Sequence, residues 1–391
     1  MHIDYTPEQR ALRDELRAYF TKMMTPELVR EVKGSEGGGR LYTQALQQMG
    51  RDGWLGIGWP KEWGGLDRSP IEQFIFADEV QRAGYPLPFL TLNSVGPTIM
   101  KYGSEEQKRR FLPLILAGKV HFAIGYSEPG SGTDLASLTT KAVRDGDDYV
   151  VNGSKVFTSL ADFADYIWLA VRTGPDGSKH RGISMLIVPT SSPGYSLTPI
   201  ETMGGVRTNA TYYNDVRVPV ENRVGAENAG WALITNQLNH ERVALSAVGP
   251  FERLFEEVCD WARETRLADG QRVIDRPFVR HGFGRIRAQL EALRLLNWRT
   301  AWAMTKGSLQ MAEASAAKVM SSEFYVEGYR MLMEVLGPEG QLRDGSPGAV
   351  LAGRVERMYR TTFILTFGGG TNEVQRDIIA MAGLGMPHYR R

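Results

Sequence analysis

The chain has 391 residues, of which 42% are hydrophobic and 23% charged, a composition that is typical of a folded globular protein and excludes a mainly disordered or fibrous chain. Lysine and arginine number 46 and aspartate and glutamate 45, so the net charge of +1 provides no global field that would attract nucleic acid or an anionic membrane. The single cysteine, Cys259, excludes an intramolecular disulfide, and without a signal peptide or a membrane-spanning apolar run we expect a cytoplasmic protein.

The first third of the sequence has the pattern of helices separated by turns. Thr6-Pro7-Glu8-Gln9 is a capping-box sequence, and it predicts a helix that runs to about Met24. Further helical patterns are found at residues 42–51, 70–82 and 104–117. The basic cluster at residues 108–110 is expected to be a solvated helix face. We therefore predict an N-terminal helical domain over residues 1–120.

From about residue 121 the pattern becomes that of β-strands. Asn152-Gly153 stands between two β-rich runs and predicts a hairpin turn at that point. Strand-like runs follow at residues 166–172, 183–189 and 210–218. These elements predict a middle β domain over residues 121–229.

After residue 230 the helical period returns and continues to the end of the chain. Long amphipathic stretches are predicted at residues 232–248, 278–304 and 311–336. Cys259, a lone cysteine in this helical region, is expected to be a small core residue. The third predicted domain therefore covers residues 230–391.

Two glycine-containing segments are candidate ligand-binding loops. Residues 126–134 contain a Gly-x-Gly, but a dinucleotide fingerprint must open a helix after a strand, and this segment leads into the β region. It is either a structural turn or a loop whose amides and hydroxyls bind a flat polar ligand. Gly368-Gly369-Gly370 precedes a helical pattern, where free N–H groups suit a phosphate or a polarised carbonyl oxygen; a tight interhelical turn is the alternative.

Glu241 interrupts the apolar stripe of a predicted helix over residues 231–250. Ile234, Leu238, Leu245 and Val248 recur at helical spacings, and Glu241 fills the gap between them. A carboxylate on a buried face is costly unless it is paired or used, and desolvation raises its pKa, as a general base requires. An ion pair with a neighbouring Arg or Lys is the alternative. The histidines and serines lack the spacing of a metal site or a nucleophile motif, so we expect no metal centre.

Taken together, these segments resemble the acyl-CoA dehydrogenase family over essentially the whole chain. The matching stretches are, in order, residues 126–134, 152–159, 218–225, 241–242 and 370–376. The resemblance implies an α+β fold with an N-terminal helical domain, a middle β-barrel and a C-terminal helical bundle. It also implies FAD as the cofactor, an acyl-CoA thioester as the substrate and an electron-transferring flavoprotein as the electron acceptor.

The resemblance assigns an FAD site to three segments. Ser127 and Ser159 fall where the family hydrogen-bonds the isoalloxazine ring, Tyr126 and Thr158 contribute backbone contacts, and Phe157 lies beside the ring. The full set of residues assigned to FAD is Tyr126, Ser127, Thr133, Phe157, Thr158, Ser159 and Thr371.

The same resemblance assigns the substrate-contacting groups. Thr133 falls where the family contacts the acyl-pantetheine chain, Arg242 is a candidate for substrate binding, and the backbone N–H of Gly369 would donate to the thioester carbonyl. Many members carry the catalytic base immediately before the terminal Gly-Thr, where this sequence has Gly369. A minority carry it at the position of Glu241, which is therefore the predicted base.

Two further departures from the family pattern indicate a heteromeric enzyme. Homotetrameric members reach a neighbour's FAD with an Arg-x-x-Phe-Gly element, which residues 263–270 do not preserve, and with a Gln-x-x-Gly-Gly element, which appears here as Glu334-Val335-Leu336-Gly337-Pro338. The chain is expected to need a second acyl-CoA-dehydrogenase-like subunit in an α2β2 heterotetramer with two FAD.

Within the family, the sequence is similar to an actinobacterial branch that acts on steroid-CoA thioesters. It most resembles the base-bearing subunit for a steroid-CoA with a three-carbon side chain. One alternative is a dehydrogenase or oxidase for fatty or branched acyl-CoA. The other is a non-catalytic structural subunit of a heteromeric flavoprotein.

Overall fold

The computed structural model of the chain describes residues 4–175, 177–244 and 247–387, without the side chains of residues 238–244. The helices in these ranges are α1 Pro7–Met23, α2 Pro26–Val32, α3 Arg40–Arg51, α4 Pro70–Ala83, α5 Gly96–Tyr102, α6 Glu105–Leu116, α7 Gly230–Ala244, α8 Gly249–Glu264, α9 Pro277–Thr305, α10 Met311–Leu336, α11 Arg354–Thr362 and α12 Asn372–Ile378. The strands are β1 Phe122–Gly125, β2 Lys141–Asp145, β3 Asp148–Lys155, β4 Tyr166–Arg172, β5 Ile183–Pro189, β6 Tyr195–Glu201, β7 Arg207–Pro219 and β8 Arg223–Val224. Helices, strands and helices thus follow one another as the sequence predicts.

Side-chain caps define the starts of four N-terminal helices, α1, α2, α4 and α6. In α1 the Thr6 hydroxyl accepts from the N–H of Gln9, whose side chain accepts from the Thr6 N–H, so the predicted capping box is confirmed. Ser69 and Ser104 begin α4 and α6 in the same way. Each cap pairs backbone donors that have no partner within the helix.

The strands form one sheet in the order β6-β7-β3-β2-β4-β5-β8, with β1 parallel to β4. Strands β4 and β5 are buried on both faces, because their side chains alternate between two cores. Ile167 and Leu169 point into the core that the sheet itself encloses, whereas Trp168 and Ala170 join the core of the N-terminal helices. The middle β-barrel is therefore packed directly onto the N-terminal helical domain.

The predicted hairpin turn at Asn152-Gly153 is wrong, because both residues lie inside β3. The turn between β2 and β3 is at Gly146, which has φ +61°, and Gly153 instead sits at a register shift between β3 and β7. Gly153 has φ +146°, and a Cβ there would lie 2.7 Å from the Thr140 hydroxyl oxygen. The Asn-Gly pair serves a β-bulge rather than a turn.

The predicted single helix over residues 232–248 is two helices. Helix α7 ends at Ala244, and α8 begins at Gly249 with Val248 as its N-terminal cap and Pro250 in its first turn. Val248 therefore does not continue the stripe of Ile234, and Leu245 lies outside the described residues. Proline favours the first turn of a helix, so Pro250 marks a start and not an end.

Helix α8 is tied to the N-terminal domain by a carboxylate. Asp78 in α4 accepts hydrogen bonds from the N–H groups of Val248 and Gly249, both at 2.8 Å. Burial, followed by the nearby charges of Glu79 and Glu252, raises the pKa of Asp78 to about 6 against the opposing effect of the two N–H donors.

The C-terminal helices α8 to α11 enclose a second core. It includes Phe251, Leu290 and Leu332, all fully buried, and Cys259 lies in it as expected. Within the part of the chain that the structure describes, no helix has the length and apolar character needed to cross a bilayer.

Candidate active site

The segment after β1 presents hydroxyl groups that have no hydrogen-bond partner among the residues that the structure describes. Across the described ranges, nothing is hydrogen-bonded to the side chains of Ser127 and Thr133, and the Ser131 hydroxyl is buried without a partner. The Ser127 carbonyl accepts from the N–H of Val156 at 2.8 Å. This bond places Ser127 beside the segment that contains Phe157, as the prediction of a shared site requires.

A buried ion pair that the sequence analysis missed supports this segment. The Lys155 ammonium, 1% exposed, donates to a carboxylate oxygen of Glu128 at 2.9 Å and to the Tyr126 carbonyl at 3.1 Å. Glu128 also accepts from the N–H groups of Thr139 and Thr140, at 2.7 and 2.8 Å. Burial alone would raise the pKa of Glu128, but Lys155 and the Thr140 donors outweigh it and lower this pKa to about 2. Burial lowers the pKa of Lys155 to about 8, so the ammonium is charged at neutral pH.

The loop after β3 places three predicted FAD contacts next to one another. Phe157 has φ +61° and is 66% exposed, so its ring is free to lie against a ligand. The Thr158 N–H donates to the Asn209 carbonyl at 2.9 Å, and the Thr158 carbonyl accepts from the Asn209 amide at 3.2 Å. A ligand contact by the Thr158 backbone would therefore share or replace these bonds.

Ser159 is held between the barrel and the N-terminal domain. Its hydroxyl lies 3.3 Å from that of Thr208 in β7, and the carboxyl of Glu36, in the loop between α2 and α3, is close enough for Ser159 to affect its pKa. Burial and the nearby charge of Asp162 raise the pKa of Glu36, and the Ser159 hydroxyl opposes them. The predicted ring contact is therefore placed beside Thr208.

Helix α7 is joined to the predicted FAD segment by a tyrosine. The Tyr126 hydroxyl lies 2.7 Å from the side-chain oxygen of Gln237 in α7, and it accepts from the indole N–H of Trp168 at 3.2 Å. Gln237 is 1% exposed, so the contact is inside the protein. Glu241 and Arg242 are residues of α7, and their side chains lie outside the described part of the structure.

The glycine-rich loop before α12 has the conformation that only glycine adopts easily. Gly369 and Gly370 have φ +67° and +95°, and the Thr371 hydroxyl caps α12 by accepting from the Val374 N–H at 3.3 Å. Gly369 is exposed, and its N–H is bonded to none of the described residues. The loop therefore offers a free backbone donor at the predicted position.

A second buried lysine holds this loop from α10. Lys318, 3% exposed, donates to the Gly370 carbonyl at 2.8 Å and to the side-chain oxygen of Asn372 at 2.7 Å. Asn372 also donates to the Ser322 hydroxyl at 3.0 Å. A lysine on the same helical face as Ser315 and Ser322 was a signal that the sequence analysis did not use.

Two segments of the C-terminal domain depart from the family pattern, and each has exposed charged residues; Val335 and Leu336 of the second segment are buried in the core. Arg263 pairs with Asp260, and both side chains are more than half exposed. Glu334 pairs with Arg330 near the end of α10, and its side chain is 58% exposed.

The described contacts join the candidate loops into one region. The Tyr126 segment touches the end of β3 and α7, α7 packs against α10, and α10 holds the glycine-rich loop. The groups without a partner among the described residues are hydroxyls near the exposed Phe157 ring and, on the glycine-rich loop, the Gly369 N–H. Such a donor set fits a flat polar heterocycle and a carbonyl oxygen, and within the described ranges no group of acidic, His or Cys side chains is arranged to hold a metal.

Comparison with known proteins identifies three family models along the chain. The N-terminal domain of acyl-CoA dehydrogenases matches residues 6–119, the middle domain matches residues 123–216, and the C-terminal domain matches residues 228–384. Their order is that of the helical, β and helical parts of the structure.

Similar proteins and structures cover the whole chain. Acyl-CoA dehydrogenases FadE26 and FadE29 of Mycobacterium tuberculosis are 59% and 50% identical to it, and each alignment covers 100% of both chains. A chain in the crystal structure of the ChsE4-ChsE5 complex from Mycobacterium tuberculosis is 60% identical, with a TM-score of 0.94 and full coverage of both chains. A chain of the Tcur3481-Tcur3483 steroid acyl-CoA dehydrogenase is 52% identical, also with a TM-score of 0.94 and full coverage of both chains.

Proposed function

The chain belongs to the acyl-CoA dehydrogenase family, and on this premise we propose that it is the base-bearing subunit of a heteromeric flavoenzyme that forms the α,β double bond of a steroid-CoA thioester. The observation that carries the proposal is the joining of the Tyr126 segment, α7 and the glycine-rich loop in one region. These elements contain the three parts that the reaction needs: the FAD site, the helix of the base Glu241, and the Gly369 N–H that would bind the thioester carbonyl.

The FAD site is formed by the segments around Ser127 and Ser159. Their hydroxyls, with Phe157 beside the ring, suit the polar edge and the apolar face of an isoalloxazine, and Thr133 and Thr371 extend the site. When bound, FAD supplies the acceptor for the β-hydrogen and its electron pair. The ion pair of Glu128 and Lys155 fixes the first segment before any ligand arrives.

Glu241 is the proposed base. Position 241 follows Gln237 by four residues, close to one helical turn, so both positions share the face of α7 that meets Tyr126. The apolar stripe does not place Glu241, because it crosses the break between α7 and α8. In the reaction the Glu241 carboxylate takes the α-proton, and the electrons of that C–H bond enter the new double bond.

The thioester carbonyl needs a donor while the α-proton leaves, because negative charge develops on its oxygen. The Gly369 residue is exposed, its N–H is bonded to no residue that the structure describes, and this N–H is the proposed donor. Thr133 and Arg242 are the proposed contacts to the pantetheine part of the substrate.

Because Gly369 has no side chain, the site has room for a bulky substrate. The base in many family members occupies this position, and its removal from the loop leaves room beside the thioester for a ring system. The relative described as a steroid acyl-CoA dehydrogenase supports the same substrate class. We propose a short, three-carbon side chain, as in 3-oxo-4-pregnene-20-carboxyl-CoA. A fatty or branched acyl-CoA is the competing substrate.

The second subunit is proposed from residues 263–270 and 334–338, which lack the family elements that complete a neighbour's FAD site. The ChsE4-ChsE5 and Tcur3481-Tcur3483 structures each contain two named proteins, which supports an α2β2 assembly here. The proposed complex holds two FAD and passes electrons to an electron-transferring flavoprotein.

The test is coexpression of this chain with candidate acyl-CoA-dehydrogenase-like partners. We expect a complex with two FAD per four chains whose flavin absorbance is bleached by steroid-CoA faster than by palmitoyl-CoA, with the three-carbon side chain preferred over longer ones. An active homotetramer with one FAD per chain would exclude the heteromer. Rapid reduction of O2 during turnover would indicate an oxidase.

The base is tested in the assembled complex by Glu241→Gln, with the exposed Glu15→Gln as the matched control. We expect kcat to fall by about 10²- to 10⁴-fold in Glu241→Gln with unchanged FAD content, and no change in Glu15→Gln. Unchanged turnover in Glu241→Gln would favour the structural-subunit alternative.

A further inference from the structure

Lys318 is buried at the point where α10 meets the glycine-rich loop, and its ammonium contacts the loop's backbone. Its two described acceptors are the Gly370 carbonyl at 2.8 Å and the Asn372 side chain at 2.7 Å. Removing an ammonium from water is costly, and a neutral donor would satisfy the same two oxygens. Lys318 therefore brings both a hydrogen bond and a positive charge to the glycine-rich loop.

The loop itself does not determine a single conformation. Gly369 and Gly370 both have positive φ angles, and glycine loses more conformational entropy on ordering than any other residue. Gly368 donates to the Ile364 carbonyl, and Thr371 caps α12, so the loop is fixed on both sides. Between these two points, the described hydrogen bond to the loop backbone is the one from Lys318 to Gly370.

We propose that Lys318 is a positioning residue for the oxyanion site: by holding the Gly370 carbonyl it orients the preceding Gly369 N–H, and its charge favours the anionic form of the thioester carbonyl. This inference rests on the proposed function, because it assigns a reaction step to the Gly369 donor. The effect belongs to the transition state, where charge on the carbonyl oxygen is greatest, and ground-state binding of the substrate changes little.

The test compares Lys318→Met with the same substitution at the exposed Lys22 in the assembled complex. In Lys318→Met we expect kcat to fall by about 10- to 100-fold, KM to change by less than about threefold and FAD content to stay unchanged. Exchange of the substrate α-proton with D2O should slow by the same factor as kcat. An unchanged kcat, or a loss expressed only in KM, would overturn the proposal.

Two further variants separate positioning from general packing. Ser322→Ala removes a contact to Asn372 but leaves Lys318 on Gly370, so its kcat should stay within about threefold of the wild type. Lys318→Gln keeps a donor without the charge, and a kcat equal to that of the wild type would refute the electrostatic part even if Lys318→Met does not assemble.

Hydrogen exchange provides a readout that does not need the reaction. In Lys318→Met, backbone exchange in a peptide covering residues 366–376 should be faster than in the wild type, and equal exchange would refute the positioning role. A wild-type complex that dehydrogenates no acyl-CoA would instead refute the proposed function, and the exchange result would still decide whether Lys318 orders the loop.

Discussion

The variant Lys155→Met removes the cation of the ion pair with Glu128, a residue that is only 6% exposed. Glu128 then keeps its charge in a buried site, where its remaining donors are the groups of Thr139 and Thr140. The pKa of Glu128 falls from its ordinary value of 4.5 to about 2, which corresponds to at most about 3 kcal/mol of stabilisation of the ionised form. Loss of one partner of a buried pair costs about 3–5 kcal/mol, in agreement with this figure.

The assay is thermal unfolding of the purified complex by calorimetry at neutral pH. At about 2–4 °C per kcal/mol, the value for a unit of 150–250 residues, a loss of about 3–5 kcal/mol lowers the Tm by roughly 6–20 °C. The Tyr126 segment also loses the hydrogen bond to its carbonyl, so FAD should dissociate more readily in Lys155→Met. The exposed pair of Arg217 and Asp145 provides the control, and Arg217→Met should shift the Tm by no more than about 2 °C.

Two further measurements test the reasoning behind this prediction. The double variant Glu128→Gln/Lys155→Met buries no charge at the pair and should recover at least about half of the lost Tm. Because the pKa of Glu128 is lowered in the folded state, its stabilisation is full above about pH 5 and is lost as the pH falls towards 2, so the difference between wild type and Lys155→Met should shrink on acidification. A Tm loss below about 2 °C in Lys155→Met would refute the structural role of the pair.

In Gln237→Leu the contact between α7 and Tyr126 is lost, and kcat should fall about tenfold with FAD content retained; an unchanged kcat in steady-state assays would show that this contact does not position α7. Gly153→Ala places a Cβ into occupied space and should cost about 2 kcal/mol or more in calorimetry, whereas Gly146→Ala at an open turn should cost about 1 kcal/mol; equal costs would contradict the bulge interpretation. Because the pKa of Asp78 is raised to about 6 in the folded state, its contribution to stability is lost as the pH rises through that value. The Tm of the wild type relative to Asp78→Asn should therefore be lower at about pH 7.5 than at about pH 5, and a pH-independent difference would exclude titration of Asp78.

The sequence predicts those helices and strands that have a clear spacing of apolar residues. The runs at β4 and β5 and the long period of α10 match the structure because apolar alternation and helical spacing depend on neighbouring residues. β6 was not predicted, since it is an edge strand with mostly exposed or half-buried side chains and with Pro199 in its middle.

Contacts between distant segments could not be predicted from periodicity. Glu128 and Lys155 are 27 positions apart, and their pairing depends on how the loop after β1 returns to β3. Lys318 could have been identified in the same way as Glu241, because it is a charged residue among small residues on a buried helical face. The predicted stripe around Glu241 crosses a helix boundary, because α7 ends at Ala244 and Pro250 lies in the first turn of α8.

The alternation of β4 side chains between two cores also limits how such enzymes can diversify. Trp168 and Ala170 of β4 are packed against the first 120 residues. A chimera that takes residues 1–120 from a relative must therefore still fit these two side chains, which come from the other parent. The C-terminal helices have an apolar interior of their own, with Phe251 and Leu332. Recombination near residue 121 should accordingly be poorly tolerated, and a junction near residue 248 must retain Asp78 in α4, which accepts from the Val248 and Gly249 N–H groups.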